Sequence, residues 1–377
     1  MNILIAPNAF KGSLSAKQTA DIMSAAVKDV AHDAVVTKIP IADGGDGFTE
    51  VMVETLGGEL LECDTVDANN KAIKGKIGVV GQDLAIVDVA TASGIARLDE
   101  GALQPMEAST FGTGLLIAKA LDLGCEKVIL GLGGSATTDA GTGILRALGA
   151  KFLDENGNEV TGGGGSLGSI TTIDLSGLRR ELQTVKIELA CDVENPLFGK
   201  NGAAYVYAPQ KGANNNQIIE LDNNLKHFCG VLEKKTAKNI SSLKGGGAAG
   251  GISTGLYALL GAELKRGAEL VMDATGFDEA VRNADLVLTG EGSLDMQSAS
   301  GKGTFAIAER CAKYRKPVLV FAGSIPVENN TSLDIFAGVY SILNEPMSLK
   351  KAVQHSEKLL FNAVREVIKV INIINNC

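Results

Sequence analysis

The residues of this chain best suited to chemistry stand between Leu288 and Lys302. An apolar run from Ala284 to Leu288 leads into Thr289-Gly290-Glu291-Gly292-Ser293-Leu294-Asp295, followed by Gln297, Ser298, Gly301 and Lys302. A helical pattern from about Thr304 to Tyr314 leads out. Ligands of open α/β sheets bind just beyond the carboxyl ends of strands. Glycines let backbone amides approach an anion, and carboxylates without histidine or cysteine suit a hard cation such as Mg²⁺. Glu291 and Asp295 are thus the candidate metal-holding acids, with Gly290, Gly292 and Lys302 toward a phosphate. The segment is not a Walker A loop: Gly301-Lys302 lacks the earlier glycine and the following Ser or Thr, and no dinucleotide GxGxxG follows a strand either.

Three further loops sit between a strand pattern and a helix pattern. Phe10-Lys11-Gly12-Ser13 follows the first strand; Lys11 and Ser13 either neutralise an anion at a helix start or are a solvated lysine and an ordinary cap. Asp43-Gly44-Gly45-Asp46-Gly47 is either a sharp turn with side-chain hydrogen bonds or a pair of acids holding Mg²⁺ or a hydroxyl. Gly131-Leu132-Gly133-Gly134-Ser135-Ala136-Thr137-Thr138-Asp139 offers consecutive amides, an anion cradle centred on Gly133, Gly134 and Ser135; a helix cap by Thr138 or Asp139 competes. Asp192 ends a strand before Asn195-Pro196, and Lys211 lies in Ala208-Pro209-Gln210-Lys211-Gly212. An acid at a strand end, with a lysine loop nearby in the sequence, suits a general base facing a substrate anion, against the plain reading of Asp192 as a turn former. Four such loops predict a shared cleft at the carboxyl edges of sheets.

The elements that must position these loops are legible in outline. Asn2–Ala6 reads as a buried strand, Ser15-x-x-Gln18 as a capping box opening a helix to about Val30, Val35–Ile39 as a strand, and the stretch after Gly47 as a helix to about Leu56. From 57 to 89 the texture changes to short alternating strands, Leu60–Val66, Lys74–Val80 and Leu84–Val89, which predicts antiparallel sheet. Thr113–Leu121, Lys127–Leu130, Ala140–Leu148 and Lys186–Cys191 return to strand–helix alternation. Thr161 to Gly165, with four glycines in a row, reads as a mobile hairpin loop, and Gly245–Gly251 opens a helix ending near Gly261. The chain finishes with strands at Leu286–Thr289 and Val318–Ala322 and one long helix from Leu349 to about Ile371. Short, right-handed connections favour a parallel three-layer domain built from both chain ends, 1–58 plus 270–377, with 59–269 inserted as a mixed α/β domain.

At 377 residues and 45% hydrophobic the chain can bury two sizeable cores, and with 4% aromatics and no Trp these must be aliphatic. A formal charge of −9 argues against a nucleic-acid partner. The six cysteines show no metal-type spacing and no disulfide framework. His32, His227 and His355 fall at a helix end and in polar helical stretches, which leaves acid–base work to Asp, Glu or Lys. No apolar run has the length of a membrane span and Asn2–Ala6 is too short for a signal core, so a soluble cytoplasmic protein is expected.

The chain resembles bacterial glycerate kinases of the glucarate and glyoxylate pathway type over nearly its whole length. The resemblance rests on Ala6-Pro7 with Phe10 to Ser15, Ala42 to Gly47, Gly112-Thr113-Gly114, Gly131 to Asp139, Ala190 to Leu197, Pro209 to Ala213, Gly247 to Gly251, and Thr289 to Gly292 with Asp295, Gln297, Gly301 and Lys302. It departs from the family pattern at Asn8-Ala9 (usually Asp-Ser), Asp46 (Glu), Phe48 (Thr), Ser298 (Thr) and Ser300 (often His), and lacks a Pro shortly after Lys302. The resemblance implies two α/β domains, one flavodoxin-like, with a cleft between them, and ATP-dependent phosphorylation of D-glycerate to 2-phosphoglycerate. Phosphoryl transfer needs positioning and charge neutralisation. In that role Glu291 and Asp295 would hold Mg²⁺, Gly133, Gly134 and Ser135 would cradle an anion, and Lys11, Lys211 and Lys302 would neutralise charge. Asp192 would be the base, with Asp43 as its alternative. Two readings compete: a non-catalytic hydroxy-acid sensor, for which the metal carboxylates are superfluous, and a nicotinamide dehydrogenase, which the missing dinucleotide fingerprint disfavours.

Overall fold

The computed structural model describes residues 1–10, 12–41, 44, 47–99, 101–294, 303–326 and 331–375. The chain divides into two compact units, Met1–Asp43 with Ala268–Cys377, and Gly44–Gly267. The first unit opens with β1 (Asn2–Ile5), α1 (Ala16–Val30) and β2 (Val35–Lys38). The second contains α2 (Phe48–Leu56), β3 (Glu59–Val66), β4 (Ala72–Val80), β5 (Leu84–Asp88), α3 (Val89–Ser93), α4 (Phe111–Asp122), β6 (Lys127–Gly131) and α5 (Thr142–Ala147). It continues with β7 (Lys151–Leu153), β8 (Thr172–Asp174), β9 (Lys186–Ala190), α6 (Ala203–Tyr207), α7 (Asn215–Thr236), α8 (Ile252–Leu260) and β10 (Glu263–Lys265). The chain then completes the first unit with α9 (Gly267–Ala274), α10 (Phe277–Asn283), β11 (Leu286–Ser293), α11 (Gly303–Ala312), β12 (Val318–Ser324), β13 (Gly338–Ser341), α12 (Leu349–Gln354) and α13 (Ser356–Asn375).

In the first unit five parallel strands stand in the order β13-β12-β11-β1-β2. Counted within the unit this is 2-1-3-4-5, the flavodoxin-like order, with its switch point between β1 and β11. Ile3, Leu4 and Ile5 are all buried, as expected of a strand covered on both faces. Ile3 and Ile5 pack with Met23 and Val27 of α1 and with Leu360 and Val364 of α13. The Ser15–Gln18 capping box forms as the sequence predicts, Ser15 Oγ accepting from Gln18 N and Gln18 Oε1 from Ser15 N. It satisfies two orphan donors and starts α1 where the buried stripe Ala16, Ala20, Met23, Val27 begins. Truncating a fully buried side chain such as Met23 to Ala costs about 2–5 kcal/mol.

The second unit carries a six-stranded mixed sheet, β10-β9-β6-β5-β4-β3. β10, β9, β6 and β5 are parallel, and β4 and β3 add antiparallel, so the three alternating strands read from the sequence are present in the expected arrangement. Its core is mainly aliphatic, with Val87, Leu130 and Leu189 at its centre and one edge-to-face pair, Phe152 and Phe228, at 5.8 Å. Across β9, β6 and β10 the buried Glu188 carboxylate meets Lys265 at 2.7 Å, Lys127 at 2.8 Å and Lys186 at 3.2 Å. Burial alone would push this carboxylate up, but the three ammonium groups outweigh it and hold its pKa at about 2.

Four local expectations are corrected. α2 packs on β4 and β5 of the second unit, not in the first unit where a boundary at 58 would put it; an amphipathic helix does not announce which sheet covers it. The expected final helix is two, because Ser348 caps α12 and His355 ends it. The glycine run near 163 packs tightly: a Cβ on Gly163 would stand 2.5 Å from Glu107 C, one on Gly164 2.6 Å from Thr138 O, and Gly165 N donates to Met106 O. Finally, β11 runs on to Ser293, with Glu291 opposite Ala322 and Ser293 opposite Ser324, so Gly290 to Gly292 are strand, not loop.

Candidate active site

At the carboxyl ends of β1, β11, β12 and β13 the first unit encloses a pocket of about 650 Å³. Its polar floor comprises Asn8, Ser13, Glu291, Ser293 and Ser324. Asn8 N donates to Gly290 O at 2.8 Å and its own Oδ1 accepts from Ala9 N at 2.8 Å, which fixes the turn leaving β1. Thr304 Oγ1, on the first turn of α11, donates to Glu291 Oε1 at 2.6 Å; the bond orients the carboxylate that continues β11. Ser13 Oγ is buried and has no hydrogen-bond partner among the described residues. An apolar wall of Ile342, Leu343, Met347, Leu349 and Val353 closes the other side.

In the second unit a Gly-rich loop follows β6. Gly133 N donates to Gly44 O and Ile95 N to Gly134 O, both at 2.8 Å. Gly44 has φ +82°, and a Cβ there would stand 2.9 Å from Ala190 Cβ at the end of β9. Asp192 follows at once, its Oδ1 accepting from Gly267 N at 2.9 Å. Thus Gly44, Gly133, Gly134 and Asp192 share one edge of the sheet. The loop is no row of free amides, however. Ala136 N is taken by Ser93 O, Thr137 N by Ser135 Oγ, Ala140 N by Gly250 O and Gly141 N by Asp139 Oδ1. Gly134 is exposed and Gly133 half-buried, while Ser135 to Ala140 are buried, so the two glycines form the accessible tip.

Beneath the tip lies a buried polar knot. Asp139 Oδ2 accepts from Thr110 N and Thr110 Oγ1, each at 2.8 Å, and from Gly143 N at 3.2 Å. Burial pushes this carboxyl's pKa above the ordinary range, against the pull of the hydrogen bonds from Thr110, Gly141 and Gly143. Lys211 is 2% exposed. Its Nζ donates to Thr137 O at 2.5 Å, and burial, partly offset by Asp139, pushes its pKa down to about 7. Thr138 Oγ1 is buried without a partner among the described residues. Ala140 and Ala249 both hold left-handed φ, +52° and +51°, strain of about 1–3 kcal/mol each that the packed loops must sustain.

The sequence-predicted residues are placed as follows. Ser13, Glu291 and Gly292 come together in the first unit's pocket. Gly290 sits deeper, where a Cβ would lie 2.7 Å from Phe321 O and 2.8 Å from Met23 Cε, so strand packing demands glycine there. Gly44, Gly133, Gly134, Ser135 and Asp192 come together in the second unit. Lys211 is in that unit too, buried, with its Nζ on Thr137 O of the loop. Lys11, Asp43, Gly45, Asp295 and Lys302 lie outside the described residues. Sequence reasoning missed Thr304, the apolar wall, and the tie from Asp139 to Thr110. The wall had a faint signal, Leu349 and Val353 spaced four apart in an otherwise polar stretch. Cys191, beside Asp192, is no nucleophile: burial pushes its thiol up to about 11.

Among the described residues no cluster of three or more His, Cys, Asp or Glu could cage a metal, and no helix is long and apolar enough to cross a membrane. Parallel strands ending in glycines, hydroxyls and anchored carboxylates define an α/β enzyme for small polar ligands. The profile of the glycerate kinase family matches residues 3–372. A glycerate kinase of Halalkalibacterium halodurans is 40% identical over 98% of this chain and 97% of its own length. The glycerate 2-kinase of Escherichia coli is 39% identical over 97% of each. A crystal structure assigned to glycerate kinase 2 of Salmonella typhimurium superposes over all of both chains with TM-score 0.89 at 36% identity. The chain belongs to the glycerate kinase family, and the sensor and dehydrogenase readings fall away.

Proposed function

We propose that this enzyme transfers the γ-phosphoryl group of ATP to the 2-hydroxyl of D-glycerate, giving 2-phosphoglycerate and ADP in the cytoplasm. The observation that carries the reading is the end-to-end match to a relative named glycerate 2-kinase, and the anchored acids of both units support it. The bond from the γ-phosphorus to the ADP oxygen breaks, a bond to the glycerate oxygen forms, and the hydroxyl proton goes to a carboxylate. Asp192 takes that proton, oriented by the Gly267 amide; Asp43 is the alternative base. Gly133, Gly134 and Ser135 position an anionic group, with Lys211 holding the loop from behind. Lys11 and Lys302 neutralise phosphate charge.

The donor set suits Mg²⁺. Glu291, fixed by Thr304, stands with Ser13, Ser293 and Ser324, all hard oxygens, and Mg²⁺ needs only one or two carboxylates when phosphates and waters complete its shell. Glu291 and Asp295 would hold it, and the ion would neutralise charge on the β- and γ-phosphates. The test is ADP release by the purified enzyme with MgATP. The reading expects release that depends on D-glycerate and exceeds release with water alone; equal release with and without the acceptor contradicts it.

A further inference from the structure

The geometry points to the first unit's pocket as the nucleotide site, with the purine on the apolar wall and the phosphates over the ends of β1 and β11. This rests on the kinase reading above and assigns which ligand that pocket takes. The pocket is divided by chemistry. The stretch 342–356 lines it with Ile342, Leu343, Met347, Leu349 and Val353 and one hydroxyl, Ser356; the ends of β1, β11 and β12 line it with Asn8, Ser13, Glu291, Ser293 and Ser324, beside Phe10. A three-carbon hydroxy acid bears an oxygen on every carbon and has no apolar face for such a wall. A nucleoside triphosphate has the matching division, a flat apolar base at one end and oxygens at the other.

Four further observations agree. The volume, about 650 Å³, lies in the range of sites that enclose a ligand of drug or cofactor size. The pocket opens beside the β1–β11 switch point, where open α/β sheets bind nucleotides. Glu291 is the one charged side chain among the described lining residues; it repels a bare carboxylate but tolerates a metal-chelated polyphosphate. The wall is also uncovered: Leu349 is 81% exposed, and Leu343 and Val353 are 36% exposed. Apolar side chains grouped in the open around a polar floor mark a binding surface.

Isothermal titration of wild type, Leu349→Asp and Val353→Asp tests the assignment, using Mg²⁺ with the β,γ-imido analogue of ATP, Mg²⁺ with tripolyphosphate, and D-glycerate. Circular dichroism first confirms that the variants are folded, as the exposure of both sites leads us to expect. The assignment predicts that the analogue's Kd rises at least about tenfold in the variants, while tripolyphosphate and D-glycerate move by less than about twofold. Unchanged analogue binding in both variants overturns the placement and leaves the kinase intact, as does a loss confined to D-glycerate. A wild type that binds no nucleotide overturns both. Independently, 8-azido-ATP should label peptides covering 342–353; labelling confined to 44–267 overturns the placement.

Discussion

The buried ammonium of Lys211 makes a quantitative prediction. In the folded chain burial lowers its pKa from the ordinary 10.5 to about 7. The unfolded chain keeps the proton up to about pH 10.5, whereas the native chain releases it near 7. Between these values the unfolded state binds more protons, so stability must rise with pH, by about 1.4 kcal/mol per unit and about 5 kcal/mol over the window. Lys211→Met fills the same space with no titratable group and gives up only the bond to Thr137 O. Urea unfolding of both proteins at pH 7, 8 and 9 reads the effect as the difference between two curves in which every group but Lys211 and its electrostatic partner Asp139 cancels. The wild type should gain on the variant by roughly 2–3 kcal/mol between pH 7 and pH 9. Parallel stability curves would refute the desolvated amine and with it the account of the loop's support.

Three other perturbations follow from the same geometry. Asp192→Asn keeps an oxygen for the Gly267 amide but removes the proposed base, so kcat should fall about 10²–10⁴-fold with nucleotide affinity retained; a wild-type kcat removes Asp192 from that role. Glu291→Gln preserves the bond from Thr304 yet halves the charge of the proposed Mg²⁺ pair Glu291 and Asp295, so the Mg²⁺ concentration for half-maximal rate should rise at least about tenfold, and an unshifted Mg²⁺ titration counts against Glu291 as a ligand. Gly250→Ala places a methyl 2.1 Å from Thr137 O at φ +70°, so it should cost at least about 3 kcal/mol in denaturant unfolding; a loss under about 1 kcal/mol would show that the loop yields easily.

Local signals carried much of this architecture. Ser15 and Gln18 announce α1, and the change to alternating strands after Gly57 announces the antiparallel edge β3-β4 beside β5. Buried strands betray themselves as apolar runs, hence β1 and β11. What stayed hidden is set by distant partners. Whether α2 covers one sheet or the other depends on β4 and β5, and the fate of Lys211 depends on Thr137, far away in sequence. At Gly290 a glycine required by packing against Phe321 O is indistinguishable in sequence from one required by a ligand. Sequence likewise could not show that the amides of Ala136, Thr137, Ala140 and Gly141, beyond the Gly133–Ser135 centre, are spent on Ser93, Ser135, Gly250 and Asp139. The apolar wall escaped notice because its members come from the loop after β13 and from α12, each unremarkable alone.

The central claim is the reaction itself, and ³¹P NMR of the purified enzyme with MgATP and D-glycerate tests it most directly. The account predicts a phosphomonoester resonance matching 2-phosphoglycerate, growing in step with ADP. A resonance matching 3-phosphoglycerate contradicts the choice of hydroxyl, and no new phosphate ester from folded protein contradicts the proposed reaction.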